Sequence, residues 1–166
     1  MTRAQSLAAS LTAGTFTGTT LTSPTINTPT ETAPVVISPE ERTTISATAA
    51  TGALNYDADT QGVLYYTSNA SGNWTLNVRG SGSTTLASKL NTNDSVTISF
   101  LVTQGSTAYY MTALTIDGNA QTVKYSGGTA PSAGNASSVD VYSFTIIKTA
   151  ATPTYTVLGA GPVKYA

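Results

Sequence analysis

The chain has 166 residues, of which only 9% are charged, with 7 basic and 8 acidic side chains and neither cysteine nor histidine, while threonine fills 33 positions. That length holds one compact domain and a modest appendage. The composition excludes a Ser-His-Asp triad, a cysteine nucleophile, an ordinary zinc site and a disulfide framework, and a net charge of −1 leaves no basic stripe for a phosphate backbone.

Apolar residues make up 40% of the chain, enough for a core in at least part of it. No run approaches the roughly 18 apolar residues of a membrane span, so no span is expected. The start, Met1 to Ala13, is broken by Gln5, Ser6, Ser10 and Thr12 and makes a poor secretory signal. The expected class is a structural or binding protein: not an enzyme, with no catalytic residue, cofactor or metal, and with no nucleic-acid partner.

In chain order, Ala4, Leu7, Ala8 and Leu11 fall on one helical face and predict a short helix over residues 3–11. About ten helical residues are marginal alone in water, so this piece reads as a peg that docks. From Leu11 a period of five takes over. Leu11, Phe16, Leu21 and Ile26 open successive frames, and Pro24, Pro29, Pro34 and Pro39 recur at the same interval. Five is neither a strand period nor a helix period, and repeated proline favours extended backbone. Residues 1–42 are therefore expected to form an anchor and an extended Thr/Pro stalk. Leu7, Leu11, Phe16, Leu21 and Ile26 would contact a docking surface or other copies, since they lack partners within their own segment.

From Thr43 to Ala166 the pattern is all-β. Strands are predicted over residues 63–67, 74–78, 95–103, 108–116, 122–125, 139–148 and 154–158, each short and rich in β-branched and aromatic residues. Turn signals lie between them at Asn69–Gly72, Gly80–Gly82, Asn91–Asp94, Asp117–Asn119, Gly127–Gly128 and Pro131–Asn135. Seven to nine strands without a convincing helix predict a two-sheet antiparallel sandwich, jelly-roll-like, over residues 43–166. Alternation turns Val96, Ile98, Phe100 and Val102 inward, with Tyr142, Phe144, Ile146, Trp74, Leu76 and Val78, and leaves Thr97, Ser99, Thr103, Val141, Ser143 and Thr145 on the other faces.

Chemistry-bearing residues are sparse. Asp57 and Asp59 faintly resemble the start of a calcium loop, but the further donors and the bidentate Glu are missing, and read as glycosidase carboxylates they would share one strand face only about 7 Å apart with no other acidic residue near in sequence. Asn69, Asn73, Asn93 and Asn135 each open a glycosylation sequon, which chance supplies freely in such a composition. The aromatic pairs Tyr65–Tyr66 and Tyr109–Tyr110 are the candidate surface-binding residues. Adjacent strand residues point to opposite faces, so one of each pair should be exposed, able to stack on a sugar or anchor a protein contact.

Several blocks together resemble a family. They are Leu64–Gly80 (LYYTSNASGNWTLNVRG), Ser99–Gly105 (SFLVTQG), Ala108–Tyr110, Ile116–Gly118, Gly127–Pro131 (GGTAP), Gly134–Ser138 (GNASS), Asp140–Thr149 (DVYSFTIIKT) and Val163–Ala166 (VKYA). From about Ile45 onward the chain is similar to a domain recurrent in virion structural proteins of tailed phages, especially marine cyanophages. Arg3–Ala8 (RAQSLA) resembles the peg that opens many phage fibre and tail-appendage proteins. The resemblance implies a role in virion assembly without catalytic residues; together with the anchor and stalk it leads to the expectation of a fibre or appendage protein on the particle surface. Its partners would be itself, as a homotrimer, and other capsid, neck or tail proteins. The alternatives are a capsid decoration protein bound through the β-domain and a carbohydrate-binding module for a host glycan.

Overall fold

The computed structural model describes residues 39–166. The peg, the five-residue frames and the anchor residues Leu7, Leu11, Phe16, Leu21 and Ile26 lie outside the described residues. The first strand, β1, covers Thr43–Ala49 and is followed by β2 (Gly52–Asp57), β3 (Val63–Ser68), β4 (Trp74–Arg79), a single-turn helix α1 (Leu86–Lys89), β5 (Ser95–Thr103) and β6 (Met111–Ile116). Two three-residue strands come next, β7 (Asn119–Gln121) and β8 (Val123–Tyr125), then a 3₁₀ turn at Ser126–Gly128 and the long strands β9 (Val139–Ala150) and β10 (Thr154–Tyr165).

These strands form two sheets. One has six strands in the order β1-β3-β5-β9-β10-β8 and the other four in the order β2-β4-β6-β7. The two-sheet, almost helix-free architecture is the one expected, but the pairing corrects the antiparallel jelly-roll expectation. Both sheets are mixed: β1, β3 and β5 pair in parallel, as do β2, β4 and β6, and β8 pairs in parallel with β10. Only β5·β9, β9·β10 and β6·β7 are antiparallel.

The parallel pairs follow from the chain's path. It runs along β1 in the large sheet, crosses to β2 in the small one, and returns to β3 beside β1, so that β1–β2, β3–β4 and β5–β6 stack as three coils. Successive coils are bonded at both crossings. On one side Ser71 N–H donates to the Ala50 carbonyl at 3.1 Å and Ala70 N–H to the Thr103 carbonyl at 2.8 Å; on the other, Ala58 N–H donates to the Arg79 carbonyl at 2.9 Å and Ser99 N–H to the Gly62 carbonyl at 3.1 Å. The backbone groups of these connections are thus satisfied by the neighbouring coil. The β9–β10 hairpin then closes the large sheet against β5.

Between the sheets lies the hydrophobic core. Trp74, Leu76 and Val78 from β4 meet Ile98, Phe100 and Val102 from β5 and Tyr142, Phe144 and Ile146 from β9, all buried. The aromatic rings form one cluster, with Trp74 6.0 Å from Phe100 and edge-on to Tyr142 at 6.1 Å. Such offset and edge contacts suit the ring quadrupoles. The alternation read from the sequence is the alternation of the fold, with Val96 half-buried at the start of β5.

The helix α1 is fixed from outside its own sequence. Thr85 Oγ1 accepts from Ser88 N–H at 3.2 Å, and the Asp117 carboxylate accepts from Leu86 N–H at 2.7 Å and Ala87 N–H at 3.0 Å. Asp117 and Gly118 form the turn between β6 and β7 with φ of 51° and 80°, the left-handed pair that a two-residue hairpin needs. At the other end of α1, the buried Lys148 ammonium donates to the Ala87 and Leu90 carbonyls at 2.7 and 2.8 Å.

Candidate interaction surface

The two sheets present unlike outer faces. On the four-stranded sheet the outward positions other than Ala53 and Ala113 are polar, and several are bonded to one another. Asn77 Nδ2 donates to Asn55 Oδ1 at 2.9 Å, Thr115 Oγ1 donates to Asn77 Oδ1 at 2.8 Å, and Arg79 Nε meets Asp57 Oδ1 at 2.6 Å. Asp59, the second of the close carboxylates, pairs instead with Lys89 at 3.1 Å. Asp57 and Asp59 are therefore held by separate cations.

The outer face of the six-stranded sheet is different. Register places Ile45 beside Tyr65, Tyr65 beside Leu101, Leu101 beside Val141, and Val141 beside Val163. One apolar row therefore crosses five strands, about 19 Å at about 4.8 Å per strand. Ile45 is 66% exposed and Val163 49%. The other large exposed apolar side chains, Leu158 and Tyr165, lie on the same face, opposite Thr145 and Val139 of β9. All four exposed large hydrophobics of the described residues are thus on one side of one sheet. Around the row stand hydroxyls, among them Thr97 and Thr145, whose Oγ1 atoms are 3.2 Å apart. From β1 to β10 no outward position is charged; Lys124, on β8 at the far edge, is the first, and Lys164 falls opposite the inward Asp140. Singly exposed apolar residues are ordinary on proteins, whereas a contiguous set marks a contact surface.

The four candidate tyrosines are not brought together. Tyr65 lies within the apolar row, half-buried, its hydroxyl accepting from Thr103 Oγ1 at 3.2 Å. Tyr66 points the opposite way, edge-on to Phe100 at 5.7 Å, and burial pushes its phenol up from the ordinary value. Tyr109 and Tyr110 precede β6 in the crossing from β5, both half-buried, and neither is on a strand. Tyr65 faces outward and Tyr66 inward, as adjacent strand residues do, but all four tyrosines are only half-exposed, so neither pair presents a fully exposed ring.

That crossing is held rigidly. Gln104 Nε2 donates to the Tyr109 carbonyl at 2.6 Å while its Oε1 accepts from Tyr109 N–H at 3.0 Å. The same Nε2 donates to Asp140 Oδ2 at 3.0 Å, and the fully buried Asp140 carboxylate also accepts from Asn135 N–H at 3.0 Å and Asn135 Nδ2 at 2.7 Å. No described cation pairs with Asp140; four N–H or amide groups tie two loops together through it and Gln104. A side chain at Gly134 would run into the Tyr109 carbonyl, so glycine lets these loops approach.

Sequence reasoning missed the apolar row, although Leu101 and Val141 at outward positions of otherwise Ser/Thr faces were its signal. No helix among the described residues is long and apolar enough to cross a membrane. No protein-family model matches the chain, and neither does any curated protein or solved structure.

Proposed function

We propose that the protein is a structural component of a tailed-phage particle, a non-catalytic, homo-oligomeric fibre or appendage protein, trimeric, whose N-terminal arm anchors it and whose β-sandwich is carried on the particle surface. The observation that supports it best is the contrast between the two outer faces: a polar, internally bonded face on the small sheet and an uncharged apolar face on the large one. A module with one such face is suited to standing against other protein. The coiled, cross-bonded strands supply a rigid body for that task, and Asp57 and Asp59, tied up in separate ion pairs, supply no reaction.

A second reading has an observation of its own. The apolar face belongs to the sandwich and not to residues 1–42, which favours a capsid decoration protein bound through its β-domain. The glycan-binding reading gains less, because Tyr65, Tyr66, Tyr109 and Tyr110 offer no exposed aromatic platform. Immunogold labelling of purified particles tests the virion assignment: label on the exterior is expected, and unlabelled particles reject it. Adding full-length chain and residues 43–166 separately to particles lacking the protein separates the two readings. Attachment by the full chain alone favours the arm, and equal attachment favours the sandwich.

A further inference from the structure

The geometry points to a second copy of this chain as the occupant of the apolar face of the six-stranded sheet: we propose that copies meet face to face about a rotation axis passing near Leu101, the middle of the row from Ile45 to Val163. The proposal deepens the reading above and rests on it in taking this face as a protein contact. It differs in making the contact between copies a pair about a two-fold axis on the sandwich, in place of the three copies that the sequence gathers at the stalk.

Three features select a second copy over a different protein. The first is charge. A face without charged side chains between β1 and β10 has no electrostatic address by which an unlike partner is chosen, and two identical faces meet without like-charge repulsion. The second is hydrogen bonding. The polar members of the face, such as Thr97, Ser99, Ser143 and Thr145, are hydroxyls, which donate and accept alike. A hydroxyl surface is complementary to its own rotated copy, whereas a face of carboxylates or amines is not. The third is size. Five strands at about 4.8 Å spacing and about nine residues of about 3.3 Å rise give roughly 700 Å² of flat projection, close to the about 800 Å² per partner of a standard interface. Side-chain relief raises the accessible area above that projection. The row crosses all five strands, near one end of β5, β9 and β10, with hydroxyls beside it and Leu158 and Tyr165 on the same face, so the face mixes apolar and polar groups as such an interface does.

The test uses the full-length chain. Sedimentation velocity is expected to give a multiple of 16.9 kDa, which falls to the single-chain mass in an Ile45→Lys/Val163→Lys variant and is unchanged in Ala53→Lys on the opposite face. Circular dichroism and a cooperative melt establish that the variants are folded. Because the chain has no cysteine, Leu101→Cys provides a second readout: a short bismaleimide is expected to join two copies of Leu101→Cys and not of Ala53→Cys. A monomeric wild type, or an Ile45→Lys/Val163→Lys variant that keeps the multiple, overturns the proposal. Particle labelling keeps the two conclusions apart. A monomeric chain that still labels particles removes the self-contact and leaves the virion reading. A multimer that dissociates on Ile45→Lys/Val163→Lys, with no particle carrying the chain, keeps the self-contact and removes the virion reading.

Discussion

Gln104 grips both backbone groups of Tyr109, one with each end of its amide, and so turns the crossing between β5 and β6 into a closed ring. The amide's remaining donor capacity goes to Asp140, so the loop, the hairpin strand β9 and Asn135 stand or fall together. Asp140→Ala is expected to strand three donors in a buried site and to cost roughly 3 kcal/mol or more. Urea denaturation checks this, and a cost below about 1 kcal/mol would show that the network is peripheral.

The core parity makes a paired prediction. Phe100→Ala and Phe144→Ala should each cost about 3–5 kcal/mol, since both rings are fully buried and leave a cavity. Thr97→Ala and Thr145→Ala, on the outer face, should stay within about 1 kcal/mol. Equal small losses from the two sets, measured by thermal melts, would contradict the register.

Lys148 is buried at the end of α1 with two carbonyls as partners. Lys148→Met keeps the length of the side chain and removes the ammonium, and should cost about 1.5–3 kcal/mol, the range for charge-assisted hydrogen bonds. A chevron or equilibrium melt at unchanged stability would assign those carbonyls other partners.

Alkaline pH should weaken the fold through two phenols. Burial pushes Tyr56 from 10.0 up to about 12, and pushes Tyr142 up as well, partly opposed by its bond from Met111 N–H. Above pH 10 the unfolded chain releases these protons while the folded chain retains them, so the unfolded state binds fewer protons and stability falls as pH rises. The slope is about 1.4 kcal/mol per pH unit for each phenol, and for Tyr56 the loss approaches roughly 2–3 kcal/mol by about pH 12. Urea midpoints should be level up to about pH 10 and drop beyond it, and Tyr56→Phe should drop less. A wild-type midpoint unchanged well above that point would refute the burial of these hydroxyls.

The positions of seven strands and the inward faces of β4, β5 and β9 were legible because each depends on alternation over a few residues, whereas β1 and β2 were not read as strands. Ser95–Thr103 shows this well: period 2 alone names both its ends and its core side. Parallel stacking was not legible, because the pattern of Val63–Ser68 is the same whether Thr43–Ala49 runs with it or against it. The helix at Leu86–Lys89 was missed since one turn has no period, and two of its orphan N–H groups are satisfied by Asp117, about 30 residues away in sequence. β7 was missed because it is only three residues, Asn119–Gln121, and starts on the last residue of the turn signal Asp117–Asn119. Likewise, Tyr65 and Tyr109 look equivalent as members of Tyr-Tyr pairs, but one lies on a strand and the other on a crossing loop, a distinction made by partners such as Gln104 that lie in neither pair.

The order of coils has a consequence for synthesis. β1, β3 and β5 come off the ribosome with each new strand bonding to the one before it, so the growing sheet always ends on an unpaired edge. That edge on β5 waits until β9 is made, some 36 residues after Thr103, and open strand edges invite pairing with other nascent chains. A polysome crowded with copies would then be the setting in which misassembly competes with folding, and the rate at which the closing hairpin arrives would set the yield of correctly closed molecules.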